Sequence, residues 1–176
     1  RLPRSLCPNP LGHCCPMELK TIVYRGGVIT FRVPMDWIED YGERGGGTFY
    51  RDTPQAGTLR LYVTRMSHEK IVTPELVYNE PSVDYRGMKR SFLPDLQMLP
   101  NGNSVLRHRR TSLSWFRRIV LHFWQVYNPV PPHHMRLALF SYTVLKARDT
   151  NPECIQEIEL LDREIRCAQF YPELGC

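Results

Sequence analysis

The sequence predicts an α+β fold: a mostly antiparallel sheet of six or seven strands packed with helices. Three observations lead there. Several short segments alternate apolar and polar residues with the period of two that half-buried strands require. Two longer segments, 116–127 and 135–146, are apolar on both faces, as central strands are. A segment near the C-terminus carries an apolar stripe at helical spacing. Strands, helix, strands, helix is the order along the chain, and it argues against a regular βαβ alternation. At 176 residues, 42% hydrophobic and 23% charged, the chain has the size and composition of one globular domain. It has no run of about 18 apolar residues, so a membrane span is not expected.

Each element has its own local reason. Residues 21–24 are β-rich and precede Gly26-Gly27, a two-residue hairpin signal. In 28–33, Ile29, Phe31 and Val33 share one face, while Val28, Thr30 and Arg32 share the other. Pro34 has no N–H to donate and stops that ladder. Residues 36–41 are expected as a turn or short helix that lays Trp37 on the sheet. Gly45-Gly46-Gly47 leads into a short strand at 48–51. In 58–65, Leu59, Leu61 and Val63 alternate against Arg60, Tyr62 and Thr64. Thr73 is an N-cap with Pro74 at N1, opening a short helix. Prolines and glycines make 81–103 irregular. Residues 104–113, 116–127 and 135–146 read as strands, the last two pairing antiparallel across the Pro-rich connection 128–134. Asn151 caps the final helix, with Pro152 at N1 and an apolar stripe of Ile155, Ile158, Leu161, Ile165 and Ala168.

The six cysteines sit at the two ends of the chain: Cys7, Cys14, Cys15, then Cys154, Cys167 and Cys176. A disulfide framework would staple the body of a small fold, and this one would not. Cys154 and Cys167 are thirteen residues apart on one helix, about 20 Å at 1.5 Å per residue, too far to bridge. This usage suits a reducing, cytoplasmic location. Residues 1–16 show no strand or helix period and no apolar segment of a secretory signal. They are expected to be a disordered extension, upstream of a natural start at Met17, with 17–176 a single domain. Cys7, His13, Cys14 and Cys15 match no zinc spacing, and neither a metal nor a cofactor is expected.

Charge is segregated. The net charge is +5, yet residues 96–148 contain no Asp or Glu, while holding seven Arg, one Lys and four His. From Asp149 onward there are seven acids against two Arg. One reading is a basic face for a partner, led by Arg107, Arg109, Arg110, Arg117 and Arg118, with consecutive strands placing Arg107 and Arg109 beside Arg117 or Arg118. The partner is then a protein, an acidic one fitting best. Nucleic acid is disfavoured, because no recognition motif accompanies the charge. The competing reading is that the acidic C-terminal segment lies against these strands and neutralises them.

Motifs of catalysis are missing. No Gly-x-Ser-x-Gly turn occurs. Gly45-Gly46-Gly47 precedes a strand rather than the helix N-terminus that cradles phosphate. His133 and His134 are adjacent and point apart in an extended chain. Asp36, Glu39, Asp40 and Glu43 lack calcium-loop spacing. Trp37, Tyr41, Phe49 and Tyr50 are candidates for an aromatic pocket, with core or edge packing as the alternative.

The first hairpin TIVYRGGVITFRVPMDW, with a strand ending at Pro34 and a Trp at 37, is followed by GGGTFY, GTLRLYV, a helix, the late strands FWQVYNPVPPHHMRLALFSYTVL and the closing helix NPECIQEIELLDREIRCAQF. This order, over about residues 19–170, resembles the PsbP-like and DcrB-like domains. The resemblance implies an α/β/α sandwich. It also implies action by binding without chemistry, as in photosystem accessory subunits and a nuclear transport factor that binds a small GTPase. It transfers no functional residue, since no functional motif matches. The chain therefore reads as a non-catalytic binding or accessory domain engaging a protein partner. The alternative is a small-ligand carrier or an enzyme whose pocket is built from scattered residues.

Overall fold

Because side chains alternate across a strand, each strand with one apolar face must have that face covered. The computed structural model describes residues 17–42, 45–79, 96–114 and 116–171, and these form two antiparallel sheets. The strands are β1 (Leu19–Tyr24), β2 (Ile29–Pro34), β3 (Ile38–Tyr41), β4 (Gly47–Tyr50), β5 (Thr58–Ser67), β6 (Leu96–Met98), β7 (Ser104–Ser114), β8 (Arg117–Val130), β9 (His134–Leu145) and β10 (Gln169–Phe170). The helices are α1 (Pro74–Asn79) and α2 (Pro152–Arg166). The main sheet has seven strands in the order β3-β4-β5-β9-β8-β7-β6, and β1-β2-β10 form a second sheet. The α+β class and the antiparallel β8–β9 pairing hold.

The first hairpin corrects the expectation of one sheet. Its apolar face, Ile29, Phe31 and Val33, is buried, so the hairpin lies on the main sheet instead of extending its edge. Phe31 makes edge contacts with Phe49 of β4 (5.3 Å between centroids) and Phe140 of β9 (5.1 Å). The connection is also longer than the expected two residues. Tyr24 pairs with Ile29, and a 3-10 turn, Arg25–Gly27, lies between them.

Beside this hairpin, α2 covers the same face of the main sheet. Its buried stripe runs through Cys154, Ile158, Leu161 and Ile165. Ile155 was expected in the stripe, but it lies one position off and is exposed. The core between these layers includes Trp124, Phe140, Tyr142, Leu59, Leu61 and Val120. Burial of each large side chain there is worth about 1.5–3 kcal/mol. On the opposite face, Val72, Leu96, Leu106, Tyr127, Met135 and Leu137 form a smaller cluster packed with Leu76 of α1. Thr73 caps α1 as expected, accepting a hydrogen bond from the Leu76 N–H at 3.2 Å.

Residues 38–41, expected in a turn or short helix, form the exposed edge strand β3. Trp37 just before it does lie on the core, stacked on Tyr142 at 6.2 Å. Cys154 and Cys167 are both free thiols. The expectations for residues 1–16, and for 80–95 of the irregular region, fall outside the described residues.

One close approach sets a requirement on the sequence. A Cβ at the buried Gly57 would come within 2.0 Å of the Tyr142 hydroxyl. That hydroxyl donates to Glu157 of α2, and its ring supports Trp37. Gly57→Ala is expected to displace Tyr142 and destabilise the fold by about 1–3 kcal/mol in urea unfolding.

Candidate functional site

Strand register decides what becomes of the five candidate arginines. Arg107 pairs with Trp124, Arg109 with His122, Leu113 with Arg118, and Ser114 with Arg117. Directly paired residues share a face, so Arg107, Arg109 and Arg118 stand on the face covered by α2. Arg110 and Arg117 stand on the other. The structure therefore does not place Arg107 and Arg109 beside Arg117 or Arg118, and the five do not make one patch. An 11-residue strand opposite a 14-residue strand carries residues 107 and 109 well away from the turn.

Arg107 and Arg109 are neutralised internally. Arg107 lies 3.6 Å from Asp162 of α2, with its guanidinium 5.6 Å from the centroid of the Trp124 ring. The Trp124 indole N–H donates to the same carboxylate at 2.7 Å, and Arg166 Nε reaches it at 2.8 Å. Arg109 donates to Asp149, and His122 Nε2 lies 2.9 Å from the other oxygen of that carboxylate. Lys146 Nζ is 3.7 Å away. Burial pushes the Asp149 carboxyl up, but the hydrogen bonds from His122 and Arg109 outweigh it and hold the group below its ordinary range. Burial pulls the His122 imidazole down, against the opposing pull of Asp149. For these two arginines, the acidic C-terminal segment does what the competing reading of the sequence expected.

Arg110, Arg117 and Arg118 differ. All three are exposed, and none has a carboxylate within ion-pair distance among the described residues. Arg117 and Arg118 lie at the end of the β7–β8 hairpin with Leu113, 68% exposed, and Phe116, 99% exposed, whereas Arg110 pairs with Leu121, further back along β7. Phe116 adopts a left-handed φ of 64°. Reading residue 116 as the first residue of a strand had hidden this. The signal available in the sequence was an aromatic residue, Phe116, where a tight turn favours Asn or Gly.

The four aromatic candidates do not form one pocket. Phe49 is fully buried between the sheets, and Trp37 is buried on Tyr142. Tyr50 pairs with Ile38 and faces the other way from Phe49. Tyr41 is half-exposed, in contact with Phe49 at 6.0 Å and Tyr24 at 6.3 Å. Tyr41 instead lines an open cleft of about 320 Å³ with Val23, Tyr24, Arg25, Gly45 and Gly46, most of which the sequence reading missed. The Tyr24 hydroxyl donates to the Gly45 carbonyl, and Arg25 lies over the Tyr24 ring at 5.5 Å. A Cβ at Gly45 would overlap the Arg25 guanidinium. The cleft thus lies where β1 of the small sheet meets β3 of the main sheet.

No family model matches the chain, and no curated protein matches it in sequence. Solved structures do match in shape. A structure from Bacteroides thetaiotaomicron aligns over 88% of this chain at 14% identity and a TM-score of 0.56. This chain spans 49% of that protein. LpqN, described as involved in cell envelope biogenesis of Mycobacterium tuberculosis, aligns over 88% of this chain and 91% of its own, 12% identical, with a TM-score of 0.56. A point mutant of the protein Mog1 aligns over 88% and 96%, 13% identical, with a TM-score of 0.51. What they share is the fold. The resemblance read from the sequence holds at that level. No described helix is long and apolar enough to cross a membrane.

Two outcomes follow from this geometry. Asp149→Asn leaves Arg109 and His122 without their carboxylate and is expected to cost about 1–3 kcal/mol in urea unfolding. Because the folded carboxyl titrates below the ordinary 3.8, its contribution is complete above that pH and is lost as pH falls through the folded value. The variant should therefore also show a flatter acid limb of stability. Phe116→Asn relieves the left-handed strain and is expected to stabilise the fold by about 1 kcal/mol in the same assay.

Proposed function

We propose that the chain is a binding or accessory domain, without a reaction of its own, that docks on an anionic partner through the end of the β7–β8 hairpin. The observation that carries this reading is the exposed trio Arg110, Arg117 and Arg118, which have no carboxylate within ion-pair distance among the described residues. Their neighbours Arg107 and Arg109 are matched by acids of the same chain, whereas these three are exposed. Guanidinium groups without a carboxylate within ion-pair distance among the described residues are suited to external carboxylates or phosphates. An acidic protein surface is the partner that the charge pattern of the sequence points to. Free Cys154 and Cys167 support a cytoplasmic location.

The cleft at Tyr24 and Tyr41 supports a second reading, a small-ligand carrier. Its aromatic walls would hold an apolar body and Arg25 an anionic end. Loss of a co-purified small molecule in Tyr41→Ala, seen by native mass measurement, would favour it.

The leading reading is tested with the purified chain as bait in native lysate with its membranes included. Wild type is expected to retain an anionic partner, protein or lipid. R110E/R117E/R118E should lose it, and R60E/R65E, which reverses two exposed arginines on β5, should keep it. Equal retention by all three overturns the reading.

A further inference from the structure

The end of the β7–β8 hairpin departs from two rules at once. Ser114 pairs with Arg117, and Phe116 lies in the tight turn between them. Such turns take Asn or Gly because positive φ then costs little. Phe116 instead holds a φ of 64° and is 99% exposed. Strain and exposure are both unfavourable to the fold, a combination expected at functional positions. Leu113, beside it, is also exposed.

The charges are arranged in a particular way around this apex. Arg117, beside the apex, and Arg110, four residues back from Ser114, stand on one face of the ribbon. Arg118 stands on the other, opposite Leu113. A flat protein interface would engage one face. A ribbon end with an apolar apex and cations on both faces fits a medium that closes around it. The headgroup layer of an anionic bilayer is such a medium. Its phosphates take guanidiniums from all sides, and the acyl boundary beneath takes phenyl and isobutyl groups. The sequence from 96 to 148 has no carboxylate to repel that surface.

Resting on the docking reading above, we infer that the hairpin end inserts into an anionic lipid surface. Phe116 and Leu113 enter the acyl boundary, and Arg110, Arg117 and Arg118 bind phosphates. The domain is then peripheral, held by an apolar apex and a cationic collar that are each too weak alone.

Flotation with phosphatidylglycerol/phosphatidylcholine vesicles tests this, with phosphatidylcholine vesicles as the control. Wild type is expected to float with the anionic vesicles only, and less so as salt rises. Phe116→Ser keeps every charge, and its partitioning should fall about tenfold. Phe116→Trp should keep it. R110E/R117E/R118E should abolish flotation, and R60E/R65E should leave it unchanged. Each variant is checked for a native circular dichroism spectrum. Absence of wild-type flotation overturns the inference, as does equal flotation of Phe116→Ser or of the triple variant. Retention of an acidic protein by the same arginines, without flotation, overturns the lipid assignment and leaves the docking reading standing. If the triple variant also retains its lysate partner, the docking reading itself fails.

Discussion

The pairing of β8, an inner strand held between β7 and β9, sets both how the core packs and which charges meet. Its register puts Val120, Trp124 and Val126 on the inner face, where the second sheet and α2 must cover them. A slip of one residue would move that apolar set to the other face. The same register places His122 and Trp124 opposite Arg109 and Arg107. The acids that approach with α2, Asp149 and Asp162, then meet two arginines, an imidazole and an indole N–H together. Core packing and charge neutralisation are therefore set by one pairing.

This accounts for the uneven fate of a uniformly basic stretch. Where the α2 side brings acids within reach, the arginines are paired and serve the fold. Arg110, on the opposite face, and Arg117 and Arg118, beside the turn, remain without carboxylates among the described residues. Exposed pairs stabilise by only about 0–1 kcal/mol each, so the fold loses little by leaving the distal arginines unmatched. The strained Phe116 at the apex costs more and is harder to explain by folding alone.

A second junction sits at the far edge of the main sheet. Phe31 seats the small sheet on Phe49 and Phe140, and this brings Tyr24 against Tyr41 and Gly45. The open cleft there is a consequence of stacking a short hairpin near the edge of a larger sheet. Residues 24 and 41 belong to different sheets, so no local pattern joins them.

What the sequence by itself determined was local. Alternation at 29–33, 58–65 and 104–113, the two-faced strands of 117–127 and 135–145, the cap at Thr73 and the start of α2 at Pro152 were all legible, because strand and helix periods and local start signals act over a few residues, although the Asn151 side chain makes no capping hydrogen bond. The separation of basic and acidic segments was legible too. Only the tertiary structure decided which arginine met which acid, that the first hairpin left the main sheet, that residues 38–41 became an edge strand, and that Tyr41 joined Tyr24 and not Tyr50. Each of these depends on register or on contact between residues far apart in the chain. Period-two patterning says which residues share a face, but it does not say what will cover that face.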